Sequence, residues 1–129
     1  ALGVNVAYVD TSALVSLAFD EQGARQLGAR LESYDVLYAS NLLEAELNAA
    51  FQREEVPLDT RLLSWIEWIL PDRPLTAEIA RVQATGCLRG ADLWHLACAL
   101  YLSPDPGHVA FVTLDGRQSE VARRLGFGG

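Results

Sequence analysis

A chain of 129 residues, half of them hydrophobic, can bury a sizeable core, and one domain over residues 1–129 is expected. All ten basic residues are arginine, which excludes chemistry that needs a lysine, the phosphate-binding P-loop and Schiff-base catalysis among it. The net charge of −7 argues against broad coating of nucleic acid, yet leaves room for a small cleft with a few arginines and a bound cation.

No apolar run reaches the roughly 18 residues a membrane helix needs, and no basic-then-apolar signal opens the chain. Cys87 and Cys98 lie in apolar stretches without metal-ligand spacing. They read as reduced, buried thiols, and a cytoplasmic setting is expected.

The first element is the run Val4 to Val9, apolar except for Asn5 and ended by Asp10-Thr11-Ser12. A short β-branched run that does not alternate predicts a strand covered on both faces of a parallel sheet. Asp10 then stands at the carboxyl end of that strand, where open α/β sheets build ligand sites. Thr11 or Ser12 is expected to cap the following helix, Ala13 to Phe19.

Ala24 to Glu32 has the spacing of an amphipathic helix, with Leu27 and Leu31 on one face. Val36 to Ala39 predicts a second strand, and Ser40-Asn41 offers caps for a helix over Leu42 to Glu54. Pro57 is expected to start another helix, Leu58 to about Trp65; if it continues, Trp65 and Trp68 share a face, in the core or a dimer interface. Glu67 to Leu70 fits a short strand or a helix end equally.

Pro74-Leu75-Thr76 opens a helix over Ala77 to Thr85, which Gly86 closes. Gly90 precedes a very apolar helix, Asp92 to Leu102, and Ser103 to Gly107 is a loop. Val109 to Val112 is a further strand, and Arg117 to Leu125 a terminal amphipathic helix. Strands alternating with helices predict an α/β fold: a three-layer α/β/α sandwich around a mostly parallel sheet.

Four acids stand out against this frame. Asp115 repeats the pattern of Asp10, an acid after an apolar strand and before a helix, so two strands end in acids at one sheet edge. On the third helix, the neighbours of Glu46 three and four residues away are Leu42, Leu43, Ala49 and Ala50, whereas those of Glu44 are mostly polar. Glu46 is therefore expected on the buried face and Glu44 in water. Asp92 opens a helix with almost no polar side, whose N-terminus also favours an acid. His95 reads as the one polar residue of that helix's exposed stripe, and His108 as solvated.

Gathered carboxylates repel, and a divalent ion reverses that penalty. Oxygen ligands without His or Cys select Mg²⁺ or Mn²⁺. Such a site suits phosphodiester hydrolysis, with Thr11, Ser12 and Thr113 orienting carboxylates or water. Repulsion within the cluster would make Glu46→Gln stabilise the metal-free protein. Arg25, Arg30, Arg53, Arg89 and Arg117 are equally open as contacts to RNA phosphates.

Val9-Asp10-Thr11-Ser12-Ala13-Leu14, then Ser40 with Glu46-Leu47, then Ala91-Asp92 opening an Ala-rich helix, then Thr113-Leu114-Asp115 together resemble a PIN domain, over nearly the whole chain. The size resembles the VapC-type toxins of prokaryotic toxin–antitoxin pairs. The resemblance implies a Mg²⁺- or Mn²⁺-dependent ribonuclease with Asp10, Glu46, Asp92 and Asp115 as its catalytic and metal-binding acids. It further implies a homodimer and a cognate antitoxin that blocks the site.

The chain departs from the family pattern at Leu93-Trp94, where Ala and a small residue often follow the third acid. It departs again at Gly116-Arg117-Gln118, where an acidic or aromatic residue often follows the fourth. Two other readings stand beside the nuclease. One is a catalytically silent PIN module that binds RNA or a partner. The other is a phosphatase or phosphotransfer domain using Asp10 as nucleophile, against which count the missing Lys and the Ser12 where a second Asp is wanted.

Overall fold

The computed structural model describes residues 5–129, so Val4, read as part of the first strand, lies outside the described residues. Four strands form one all-parallel sheet: β1 (Val6–Val9), β2 (Val36–Ser40), β3 (Ile66–Ile69) and β4 (Val109–Val112). Their order is β3-β2-β1-β4, with Tyr8 opposite Tyr38 on one side and Phe111 on the other. Among the described residues five α-helices connect them and a sixth follows β4: α1 (Thr11–Ala18), α2 (Ala24–Glu32), α3 (Leu42–Arg53), α4 (Thr76–Gln83), α5 (Gly90–Leu102) and α6 (Gly116–Leu125).

Strand side chains alternate between two cores. Ala7, Val9, Leu37, Ala39, Ile66 and Val112 pack with residues of α1, α2 and α3. Tyr8, Ile69, Val109 and Phe111 pack with residues of α4, α5 and α6. The sheet is therefore covered on both faces, which is why its strands read as apolar runs rather than alternating ones. This is the three-layer α/β/α sandwich that the alternation of strands and helices predicts.

Two glycines close the structure locally. A Cβ on Gly86 would meet Val121 Cγ2 at 2.7 Å, so the turn after α4 comes against α6 only because this residue has no side chain. Gly126 ends α6 at φ +107°, which turns the chain back along β4. Gly128 then exchanges backbone hydrogen bonds with Val109 and Phe111, covering part of the edge that β4 would otherwise leave open.

Several local expectations are corrected. Residues 57–65 do not form a helix: only Leu63–Trp65 is helical, as a single 3₁₀ turn. Asp59 captures its neighbour instead, taking the Arg61 backbone N–H at 3.1 Å and its guanidinium at 3.0 Å, and successive i to i+3 turns follow. Of the two readings for residues 67–70, the strand is the one observed. Trp65 and Trp68 therefore share no helical face; Trp65 is exposed and Trp68 lies in β3. Cys98 is buried but Cys87 is exposed. No helix among the described residues is long and apolar enough to cross a membrane.

Candidate active site

The strand order places the acids. From β1 the chain steps outward to β2 and β3, then returns to the far side of β1 as β4. The carboxyl ends of β1 and β4 thus flank the switch point where connections leave in opposite directions, the crevice in which open α/β sheets bind ligands. Asp10 follows β1 and Asp115 lies three residues beyond β4, while the Asp10 backbone N–H donates to the Val112 carbonyl at 3.1 Å.

Asp10 is 3% exposed. It occupies the N-cap position of α1 without a side-chain capping bond, so neither Thr11 nor Ser12 is the cap; both lie inside the first turn. The hydroxyls serve the acids instead. Ser12 donates to Asp10 Oδ1 at 2.6 Å, and Thr113 Oγ1 stands 2.8 Å from Asp10 Oδ2. Burial pushes the Asp10 carboxyl above its ordinary range, against the pull of these two hydroxyls and of His95.

Glu46 sits at the rim of the buried face of α3 rather than within it. That face is Leu43, Leu47, Ala50 and Phe51, and the Glu46 side chain is 34% exposed. Its Oε1 accepts from Thr11 Oγ1 and from His95 Nε2, both at 2.7 Å. The His95 bond, with help from Thr11 and against partial burial, holds the Glu46 carboxyl below its ordinary range. Glu44 is exposed, on the side expected.

Asp92 lies in the first turn of α5, near the positive end of the helix dipole. Its carboxyl is raised, first by burial, then by the like charges of Asp115 and Glu46; His95 and Arg89 oppose. Asp115 is exposed and caps α6, its Oδ1 accepting the Gln118 backbone N–H at 2.8 Å. Asp92 and Asp115 share an open cavity of about 620 Å³ with Cys87, Leu88, Arg89 and Arg117. The guanidinium of Arg117 is anchored through Nε to the Cys87 carbonyl at 2.8 Å. Of the five candidate arginines, the structure brings Arg89 and Arg117 to the acids.

Asp92 therefore feels both Glu46 and Asp115, and Asp10 shares its hydroxyl partner Thr113 with the loop that carries Asp115. Among the described residues, no three Asp, Glu, His or Cys side chains stand close enough to hold one metal ion. The four acids are neighbours, not a formed chelate. Their donor chemistry nonetheless suits a hard dication: all are carboxylates, burial makes ionisation of Asp10 and Asp92 costly, and the like charges of Asp115 and Glu46 add to that cost at Asp92.

Two residues of the site escape the sequence reading. His95 is not on an exposed stripe; it is 2% exposed and bonded to both Glu46 and Tyr8. A helix apolar all round is buried, so its single imidazole had to find a partner. Gln118 is fully buried, its amide reaching Thr113 Oγ1 and the Asp92 carbonyl. Its place three residues after a capping acid is that of a capping-box glutamine, a signal present in the sequence. His108 is exposed, as expected.

A doubly covered parallel sheet with acids at its switch point defines a small α/β domain with a candidate cation and phosphate crevice. The family model described as PIN domain matches residues 7–124, and the chain belongs to that family. PIN domains are generally nucleases and typically use divalent metals. No curated protein matches the chain.

Proposed function

We propose that this chain is a divalent-metal-dependent endoribonuclease and the toxin of a toxin–antitoxin pair. The reading is carried by one observation: in a PIN fold, acids from β1, α3, α5 and the end of β4 gather around the switch point, with two of them lining a cavity beside Arg89 and Arg117. Asp10, Glu46, Asp92 and Asp115 would hold Mg²⁺ or Mn²⁺. When bound, the ion lowers the pKa of a water and neutralises charge developing on the phosphate.

The protein's own groups do the rest. Ser12 and Thr113 fix both oxygens of Asp10, and Thr11 and His95 fix one oxygen of Glu46, so neither carboxylate is free to rotate. Arg89 and Arg117 offer positive charge to a phosphodiester entering beside Asp92 and Asp115. The anchored Nε of Arg117 holds its guanidinium in place for such a contact.

The overall charge of −7 and the acidic crevice suit a basic side chain from an antitoxin, competing with the metal through charge-assisted hydrogen bonds. The active form is a homodimer. Purified, antitoxin-free protein should cut RNA with Mg²⁺ or Mn²⁺ and stop with EDTA, and Asp92→Asn should be folded and inactive. Full cleavage in EDTA would refute the mechanism. Expression of the native operon should yield a complex; recovery of this chain alone counts against the antitoxin.

A catalytically silent module that binds RNA or a partner is the second reading, favoured by the lack of any three-ligand cluster among the described residues. It predicts RNA binding without metal-dependent cleavage. The phosphotransfer reading has less support, because Asp10 is 3% exposed with both oxygens engaged, a poor posture for a nucleophile.

A further inference from the structure

We infer that Tyr8 and His95 form an ordered hydrogen-bond relay that orients the Glu46 carboxylate and presents its Oε2 to the crevice. The inference rests on the nuclease reading only for its consequence, that Glu46 is a metal ligand.

The order of the protons follows from the partners. The Ser40 backbone N–H donates to Tyr8 Oη at 3.2 Å. Tyr8 is fully buried, and its hydroxyl lies 2.8 Å from His95 Nδ1. The ionised Glu46 carboxylate can only accept, so His95 Nε2 carries a proton and donates to Oε1 at 2.7 Å, which leaves Nδ1 to meet the Tyr8 hydroxyl. Thr11 donates to the same oxygen, so both lone pairs of Oε1 are used and Oε2 is the oxygen left free. Every buried side-chain polar atom among the described residues has a partner.

The relay is held rigidly. The Tyr8 ring stacks on Phe111 at a centroid distance of 5.2 Å and an interplanar angle of 7°, and meets the His95 ring edge-on at 5.9 Å. It also crosses the molecule. Glu46 belongs to a helix packed on one face of the sheet and His95 to a helix packed on the other, so their bond joins the two outer layers at the sheet's carboxyl edge. Tyr8 leaves β1 two residues before Asp10, so one strand supplies an acid and the support of a second acid. A polar chain in a dry core is stable only when complete, and complete it rigidifies its members.

Tyr8 and His95 are thus positioning residues. In the metal-free protein, ¹⁵N-resolved spectra of the imidazoles should show a proton on His95 Nε2; an imidazole protonated on Nδ1 alone overturns the relay. Mn²⁺ affinity is read from the metal-induced rise in melting temperature. His95→Leu should weaken it about tenfold, the scale of a lost outer-shell partner.

His95→Gln places an amide N–H near the old Nε2 position and should recover affinity to within about threefold of the wild type. Wild-type Mn²⁺ affinity in His95→Leu overturns the positioning role. Should His95→Leu fail to fold, Tyr8→Phe serves in its place. It should give a mixture of tautomers and severalfold weaker Mn²⁺ binding, and an unchanged spectrum and affinity overturn the relay. Wild-type protein that binds no Mn²⁺ instead refutes the nuclease reading, and the relay is then decided by the tautomer alone.

Discussion

Asp10 and Asp115 are written the same way in the chain, an apolar strand, an acid and a helix, yet they live in different surroundings. Asp10 ends a central strand, is 3% exposed and has each oxygen bonded to a hydroxyl. Asp115 follows an edge strand after two extra residues, is exposed, and gives one oxygen to the backbone of its own helix. The strand end supplies an acid; the strand's place in the sheet decides whether that acid is desolvated. Burial makes the Asp10 charge costly and obliges partners, whereas Asp115 is solvated and free to act as a cap.

The largest effect expected to test this contrast is on cleavage. Asp10→Asn should lower Mn²⁺-dependent RNA cleavage at least about a hundredfold, more than loss of an outer-shell partner usually does. Asp115→Asn should also lower it, but by a smaller factor. Equal losses would mean that burial does not separate the two acids.

The second effect is on stability against pH in the metal-free protein. Asp10 and Asp92 are raised above the ordinary Asp value of 3.8. Raised groups stabilise the fold below that value and lose this contribution as pH rises through the folded-state pKa. Metal-free protein should therefore lose stability from this source on going from acid toward neutral pH. Asp10→Asn should flatten that part of the profile and added Mg²⁺ should restore the wild type at neutral pH, whereas Asp115→Asn should leave the slope in place. Thermal melts across a pH series read both outcomes.

Third, Asp115→Ala should cost about 1 kcal/mol through the lost cap of α6, and Asp115→Ser should recover most of that stability. Neither variant should recover full cleavage, which separates the capping role from the proposed metal-binding role. Stability that is unchanged in Asp115→Ala would remove the cap from the account.

Fourth, Glu46→Gln reverses the sign that cluster repulsion alone suggests. His95 and Thr11 hold the Glu46 carboxyl below its ordinary range, so its ionised form stabilises the fold above the ordinary value and loses that contribution as pH falls through the lowered one. The variant should be slightly less stable without metal at neutral pH, by less than about 1 kcal/mol given solvent screening of a side chain 34% exposed. A more stable metal-free variant would restore repulsion as the dominant force. The smallest effect is at Glu44, whose exposed substitution to Gln should stay within about 0.5 kcal/mol in melts and leave cleavage unchanged.

The fold was legible where side-chain periodicity and core placement agree. The Leu27 and Leu31 spacing and three short apolar runs lead to α2 and to β1, β2 and β4, because each buries a face in the way its pattern requires, whereas residues 67–70 left strand and helix end open. Legibility fails at residues 57–65, where leucines at helical spacing are outweighed by Asp59 bonding the backbone and guanidinium of Arg61. It fails again at His95. The pattern marks the helix as buried, but an imidazole's polarity suggests exposure, and the hydroxyl that accommodates it comes from Tyr8, 87 residues away.

The sequence by itself determined the family, the three layers and which acids follow which strands, since these depend on local pattern and on the order of elements along the chain. Only the tertiary structure decided which acids are desolvated, which hydroxyls hold them, and that Arg89 and Arg117 are the arginines beside them. Those properties depend on distances between elements far apart in the chain. A carboxylate's charge state and orientation respond to whatever lies within a few ångströms, and residue order does not encode that proximity directly.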